Sequence, residues 1–378
     1  MKKWTLVLGL LAATFTLSVG TASAGQDSRI LLNYSDTGLS SSKVIVDGTT
    51  MVPLKSLAAA MGYTLSWDQA SKTAKLISPE REIGFISGSK SLKVNGAAST
   101  LAKPTRIIKG GMYIPLVSGV VALGGKIVYD KGSSTLNIVD EPRYVTASAQ
   151  GRTYWVSQKN GDLYYRASVK GKPQRMGSLP LKPSAYSYGL VITDAGKGAD
   201  LLLLSEQHYA MFNDFSNGYQ ALIHSGTILK QMDYHFSNSS YQQAPRLTTT
   251  QLYMTDGLNV QYINGDGSLG KLYELEKITG VTDDFTVEYA AADVVLIRSL
   301  ATVQLYAINT ETGVATNLSA KLISSEDWQE WQRTDGRDPY ILTRMLVLTK
   351  RTGDVLTFTY TPLPEGKAKT VTYNLASQ

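Results

Sequence analysis

The stretch VIVDGTTMVPLKSLAAAMGYTLSWDQASKTAKLI, residues 44–77, recurs as RIIKGGMYIPLVSGVVALGGKIVYDKGSSTLNIV, residues 106–139, without a gap and at a constant offset of 62. Gly48 answers Gly110, Pro53 answers Pro115, Gly62 answers Gly124 and Asp68 answers Asp130, while Trp67 is answered by Tyr129. One structural unit is used twice.

Each copy reads as turn, short strand, helix, strand, turn, strand. Pro53 and Pro115 suit the first helical position, where a missing N–H costs nothing. Gly62 and Gly124 suit the position just past the helix end, where φ turns positive. Leu54, Leu57, Ala58 and Met61 fall at i, i+3, i+4 and i+7 and make one apolar stripe to pack on a sheet. The alternations Leu65, Trp67 and Ile127, Tyr129 predict half-buried strands, with Asp68 and Asp130 opening polar turns. Between the copies lie two more strand-like runs, IGFIS and LKVNG, and Asn95-Gly96 is a type I′ hairpin signal because both central residues of that turn need positive φ.

The order VDG, VPL, glycine-terminated helix, WD, repeated as GGMYIPL and YD, resembles the copper amine oxidase N-terminal-like domain family of exported Gram-positive proteins, over residues 43–139. The resemblance implies a small antiparallel sheet curled around helices, serving as an accessory module. It does not imply amine oxidation. In the copper enzymes the chemistry resides in a separate, larger domain with a modified tyrosine and three histidine ligands. Here the histidines are His208, His224 and His235, with no pair at the i, i+2 spacing that would put two on one metal from a strand. Neither a metal nor a cofactor is expected.

Residues 1–24 carry the parts of a secretory signal: Lys2 and Lys3, an apolar run from Leu6 to Val19, and the small-residue site Ala22-Ser23-Ala24. Thr14, Thr16, Ser18 and Gly20 dilute the run, which favours cleavage over a retained anchor, and no later segment has the length of a membrane span. There is no cysteine, hence no disulfide, thiolate ligand or lipid-modified cysteine. The net charge of +6 falls to +4 once Lys2 and Lys3 leave, and the remaining basic residues are dispersed among acidic ones. That dispersion is no nucleic-acid footprint. The expected partners are a cell-wall polymer or an envelope protein.

Beyond a boundary near Asp140 to Pro142 helical periodicity gives way to short strands rich in Tyr, Val, Leu and Thr. RTYWVSQKNGDLYYR, QLYMTDGLNVQYINGDG, VQLYAINTETGVATNLS and LVLTKRTGDVLTFTY each read as strand, turn, strand. The landmarks Tyr164, Tyr209, Tyr262, Tyr306 and Leu356 are 45, 53, 44 and 50 residues apart, near the blade period of propellers. The fold class is therefore mainly β: an α+β repeat module at 25–141, then an all-β domain at 142–378. The second domain is read as an irregular or five-bladed β-propeller, with a β-sandwich or two small barrels as alternatives.

Candidate chemistry is sparse. GDGSLGK, residues 265–271, satisfies GxGxxG and nearly a phosphate loop, but Leu272 stands where Ser or Thr would ligate magnesium; Asn264-Gly265 and Asp266-Gly267 favour a hairpin loop. His208 and His235 sit beside aromatics and read as partly buried histidines bonded to backbone carbonyls. Asp283-Asp284 and Glu326-Asp327 are adjacent acids without the spacing that glycoside hydrolysis requires. DAGKGAD, 194–200, lacks calcium-loop spacing. Trp328, Trp331 and Tyr340, in a polar insertion, are the candidate ligand contacts, with hydrophobic capping of the β domain as the competing role. These readings make a secreted or wall-associated, non-catalytic binding protein the expectation. The alternative is an extracytoplasmic carbohydrate-active enzyme whose acids assemble in a propeller funnel, and a sensor subunit ranks third.

Overall fold

The computed structural model describes residues 28–377 apart from 142–143, 170, 183–184, 186, 211–212, 237–246, 335–340 and 342–343. The secretory-signal segment and Tyr340 lie outside the described residues. The chain is mainly β, with many antiparallel sheets and a few short helices. It divides into two compact units. One holds the described residues to Ala60, with Trp67–Leu76 and Glu82–Glu141; the other holds Met61–Ser66, Ile77–Arg81 and the described residues after Glu141.

In the first unit the duplication is written into the strand pairing. Thr49–Pro53 and Gly111–Pro115 pair antiparallel with Val52 opposite Ile114, Met51 opposite Pro115 and Pro53 opposite Tyr113. At the offset of 62, Val52 faces its own counterpart, and the two flanking pairs are equivalent to one another. The pair Val52–Ile114 therefore marks a local pseudo-twofold axis, and both side chains are fully buried. Each central strand is fed by a two-residue hairpin, Asp47-Gly48 and Lys109-Gly110, with positive φ at both positions, the signature of type I′ turns. Asn95-Gly96 makes a third such hairpin, joining Ser91–Val94 to Ala97–Thr100.

The helices Leu54–Ala60 and Leu116–Ala122 start one residue later than the prolines suggested: Pro53 ends its strand, and Pro115 is an extended N-cap with φ −60° and ψ 123°. An extended φ/ψ is compatible with proline, and the cap position, like the first turn, has no N–H to lose. Gly62 and Gly124 have φ of 74° and 93°, as the helix-end reading requires. Leu54, Leu57, Ala58 and Met61 are all buried, which at about 1.5–3 kcal/mol for each large side chain is what holds so short a helix. The strands Thr64–Asp68 and Lys126–Asp130 lie at sheet edges, so Leu65, Trp67 and Tyr129 remain more than a third exposed. Alternation set their spacing but not their depth. One pairing is parallel: Arg29–Leu32 runs alongside Thr135–Val139.

The second unit contains five successive antiparallel meanders. Their strands are Tyr144–Ala149, Arg152–Ser157, Asp162–Arg166 and Gln174–Ser178 in the first sheet. Ser187–Gly196, Ala199–Ala210, Asn213–His224 and Thr227–Phe236 form the second. Tyr253–Thr255, Asn259–Ile263 and Leu269–Glu274 form the third. Phe285–Ala290, Val294–Ser299, Leu305–Asn309 and Ala315–Asn317 form the fourth, and Val347–Thr352, Val355–Tyr360 and Lys369–Asn374 the fifth. Every strand pairs with its sequence neighbours. The five landmark residues fall one in each sheet, and all four quoted strand–turn–strand segments are hairpins. Helical structure is not absent: Leu275–Thr279, Leu318–Leu322 and Ser325–Gln332 are short helices, the last capped by Ser324 Oγ, which accepts from the Asp327 amide.

Cores form between consecutive sheets. Tyr154, Val156 and Leu163 of the first pack with Leu202, Leu204 and Tyr219 of the second. Leu222 and Met232 meet Met254 and Ile263 of the third. Val260 and Tyr273 meet Phe285 and Ile297 of the fourth, and Leu296 and Leu305 meet Leu348, Phe358 and Tyr373 of the fifth. Polar ties follow the same order. Arg152 donates to both carboxylate oxygens of the fully buried Asp200 at 2.6 and 2.7 Å. The Thr255 amide donates to Gln220 Oε1 at 2.8 Å, Lys271 Nζ donates to the Thr310 carbonyl at 2.7 Å, and Arg351 grips Asp293 with two guanidinium nitrogens.

Candidate functional site: a cavity beside the second sheet

The long strands of the second sheet sort their side chains by parity. Register sets Leu203 opposite Gln220 and Ser205 opposite Gly218, while Glu206 faces Asn217. Leu202, Leu204 and Glu206 therefore look toward the first sheet, and Leu201, Leu203 and Ser205 toward the other side. On that other side lies a cavity of about 570 Å³.

Leu201, Leu203, Ser205, Gly218 and Gln220 form one wall. The opposite wall is the non-strand segment Thr249–Leu252, with Tyr253, Thr255 and Thr286 beside it. That segment is pinned: the Thr250 and Gln251 amides both donate to the Ala290 carbonyl, at 2.9 and 3.1 Å, and Gln251 Nε2 donates to the Ile263 carbonyl at 2.6 Å. Among the described residues the lining contains no Asp, Glu, Lys, Arg or His. Hydroxyls, amides and leucines can bind and orient a neutral molecule.

The histidines stand elsewhere, and not as expected. On the face toward the first sheet His208 Nε2 lies 3.2 Å from Glu206 Oε2, and His235 meets Asn217 Oδ1 at 2.9 Å and Asp233 Oδ2 at 3.0 Å. Their partners are side chains, not backbone carbonyls, because both residues sit inside regular ladders whose carbonyls are already paired. Glu206 is fully buried and accepts from Tyr219 OH at 2.7 Å, Asn217 Nδ2 at 2.9 Å and the Lys182 amide at 3.3 Å. Burial pushes its carboxyl up, but the bonds from Asn217, Tyr219, His208 and Lys182 outweigh that and hold it below the usual carboxylate range.

A depressed folded value means the stabilisation is complete above the unfolded glutamate value of about 4.3 and is lost as pH falls through the folded one. Urea titrations between pH 3 and 7 are therefore expected to show a shallower acid-side loss of stability in Glu206→Gln than in the parent. Equal slopes would remove Glu206 from the acid response.

The remaining candidates are structural. The GDGSLGK run is the loop between Asn259–Ile263 and Leu269–Glu274, closed by the Gly267 amide donating to the Asn264 carbonyl. Its glycines have a packing reason. A Cβ on Gly267 would stand 2.3 Å from Ala199 Cβ, and one on Gly196 would stand 2.1 Å from the Gly265 carbonyl oxygen. Two hairpin loops of neighbouring sheets are pressed together there. Lys271, the would-be phosphate ligand, is spent on the Thr310 and Glu311 carbonyls. Asp283 takes the Ser299 hydroxyl and the Ala301 amide, and Asp327 takes Lys369 and Tyr360. In DAGKGAD, Asp194 accepts from Gln150 and the Gly196 amide, and Asp200 from Arg152 and Tyr154. Among the described residues no group of three His, Asp or Glu is placed to hold a metal ion.

Trp331 is 5% exposed and packs edge-on to Tyr360 at 5.9 Å within the core shared by the fourth and fifth sheets, with Trp328 half-buried beside it. A ring so placed is packed into the core rather than laid open at the surface. Of the repeat residues, Gly48, Gly62, Gly110 and Gly124 all carry positive φ. Asp68 and Asp130 accept from amides of the turns they open, and Trp67 Nε1 donates to Gln69.

Residues 32–138 match the family described as the copper amine oxidase N-terminal domain. No curated protein matches the chain. Among solved structures, a chain from a study of two prolyl endopeptidases aligns at 10% identity and a TM-score of 0.23, over 62% of this chain and 41% of that one. The present chain thus spans well under half of that protein. AztD from Citrobacter koseri aligns at 10% identity and a TM-score of 0.17, over 68% and 85% of the two chains. The WD40 domain of SCAP from fission yeast aligns at 9% and 0.22, over 83% and 67%.

Proposed function

We propose that this chain works outside the cytoplasm as a non-catalytic binding protein of the cell wall. In this reading the copper amine oxidase N-terminal-like module carries or positions the five-sheet unit, which is arranged as an irregular five-bladed propeller and takes its ligand in the cavity beside the second sheet. The observation that carries the reading is the lining of that cavity, which is roomy, hydroxyl-rich and, among the described residues, free of ionisable side chains other than tyrosine. Binding needs only shape and hydrogen bonds, whereas glycoside hydrolysis needs two carboxyl groups facing one sugar. The signal-like residues 1–24 supply the extracytoplasmic setting.

Co-sedimentation of the purified chain with Gram-positive cell walls over a salt series tests it. Retention in the pellet at high salt, with no release of reducing sugar, is the expected result. Loss at moderate salt would reduce the interaction to charge attraction, and sugar release would make the protein an enzyme.

A further inference from the structure

Given a wall-binding role, on which the identity of any ligand rests, the chemistry of the cavity narrows the choice. A charged ligand entering this cavity would shed its hydration without meeting a countercharge among the described lining residues, which is costly. Phosphate-rich polymers, acidic peptides and free amines are thereby disfavoured. A wholly apolar ligand fits no better, because it would cover three threonine hydroxyls and a glutamine amide. Thr286 is 8% exposed, and its hydroxyl forms no hydrogen bond among the described residues; the same holds for the hydroxyls of Thr249 and Thr250. Gln220 commits its Oε1 to the Thr255 amide and leaves its two Nε2 protons uncommitted among the described residues.

Against these polar groups stands the leucine surface of Leu201, Leu203 and Leu252. Leu203 is 39% exposed, an unusual state for a central-strand leucine unless something covers it. The complementary ligand is uncharged, dense in hydroxyls and amide carbonyls, and carries small apolar patches beside them. We infer that the cavity binds a neutral saccharide bearing acetamido groups. The acetamido methyl and sugar C–H faces lie on the leucines, and the acetamido carbonyl and ring hydroxyls take the Gln220 Nε2 and threonine hydroxyls.

Isothermal titration of the full chain with chitotetraose, the neutral N-acetylglucosamine tetramer, is the test, with cellotetraose, which lacks the acetamido groups, in parallel. Chitotetraose is expected to bind at least tenfold more tightly than cellotetraose. Leu203→Asp, at a position already open to water, is expected to abolish binding, and Thr286→Val to weaken it about five- to tenfold, the value of one hydrogen bond. Circular dichroism of both variants keeps loss of binding distinct from loss of fold. Equal affinity for the two tetramers overturns the acetamido assignment. If neither tetramer binds while walls still pellet both the parent and Leu203→Asp, the cavity is not the wall site although wall binding stands. If walls fail to pellet the parent as well, the binding reading itself falls.

Discussion

Replacing Arg298 by methionine is expected to cost about 3–5 kcal/mol of folding stability. Arg298 is fully buried in the fourth sheet and pairs through both Nε and Nη2 with Glu288, itself 8% exposed. Its remaining protons go to the Val303 carbonyl at 2.8 Å and, from the fifth sheet's approach, to the Leu346 carbonyl at 2.6 Å. Methionine fills the volume but leaves Glu288 charged in the core and two carbonyls without donors. The pair itself is worth little relative to an apolar replacement, so the companion Glu288→Gln should recover a large part of the loss in Arg298→Met. Urea unfolding of the two single variants and the double gives the coupling energy directly. A loss below about 1 kcal/mol for Arg298→Met would mean that the site is hydrated and the ion pair incidental.

Gly267→Ala is also expected to be strongly damaging, although it adds one methyl group on a loop. At φ of 77° an L-residue pays roughly 1 kcal/mol in backbone strain. The added Cβ would also meet Ala199 Cβ at 2.3 Å and the Gly196 carbonyl oxygen at 2.7 Å, where neither neighbour has a flexible end to move aside. Together these come to about 3 kcal/mol or more. Gly48→Ala is the control, since its φ of 71° is similar and nothing lies within 4 Å of its Cβ. It should lose only the backbone term. If the two substitutions cost the same in thermal or urea unfolding, the loop contact contributes nothing.

What the amino-acid order discloses here is local. Asn95-Gly96 declares its hairpin because only a few residue types accept positive φ twice running, whereas Asp47-Gly48 and Lys109-Gly110 show the same turn only in the backbone. The ungapped offset makes the duplication visible, and the pairing of Val52 with Ile114 follows from it once the two copies are set antiparallel. In the second unit strand-forming runs and turn dipeptides place one landmark in every sheet. Depth is harder to read. SEDWQEWQ puts Trp328 and Trp331 at i, i+3, a spacing that serves a surface pair and a core wedge equally, and only the arrival of Tyr360 from the fifth sheet decides between them. The run LLLLSEQH gives no alternation in its first half, since Leu202 and Leu204 pack on the first sheet while Leu201, on the other face, packs against the core shared with the third and Leu203 lines the cavity. Gly267 reads as a turn residue and is one, yet the stronger demand on it comes from Ala199, 68 positions earlier. The Glu288–Arg298 pair could be found only by knowing which of several carboxylates shares its interior.

The cores shared between consecutive sheets bear on how the chain acquires its structure during synthesis. Each sheet lends one face to its predecessor and another to its successor, so a nascent chain emerging N-terminus first always carries one bare apolar face at its growing end. That face is covered only when the next 44 to 53 residues arrive, the spacing of the landmarks through the fifth sheet. Folding of the second unit is therefore vectorial in its demands: a pause in elongation between two sheets leaves a sticky intermediate, and a pause just after a sheet has closed on its predecessor leaves a smaller one. The chain has no cysteine with which to trap a half-made sheet covalently, so protection of the growing end falls to whatever receives it.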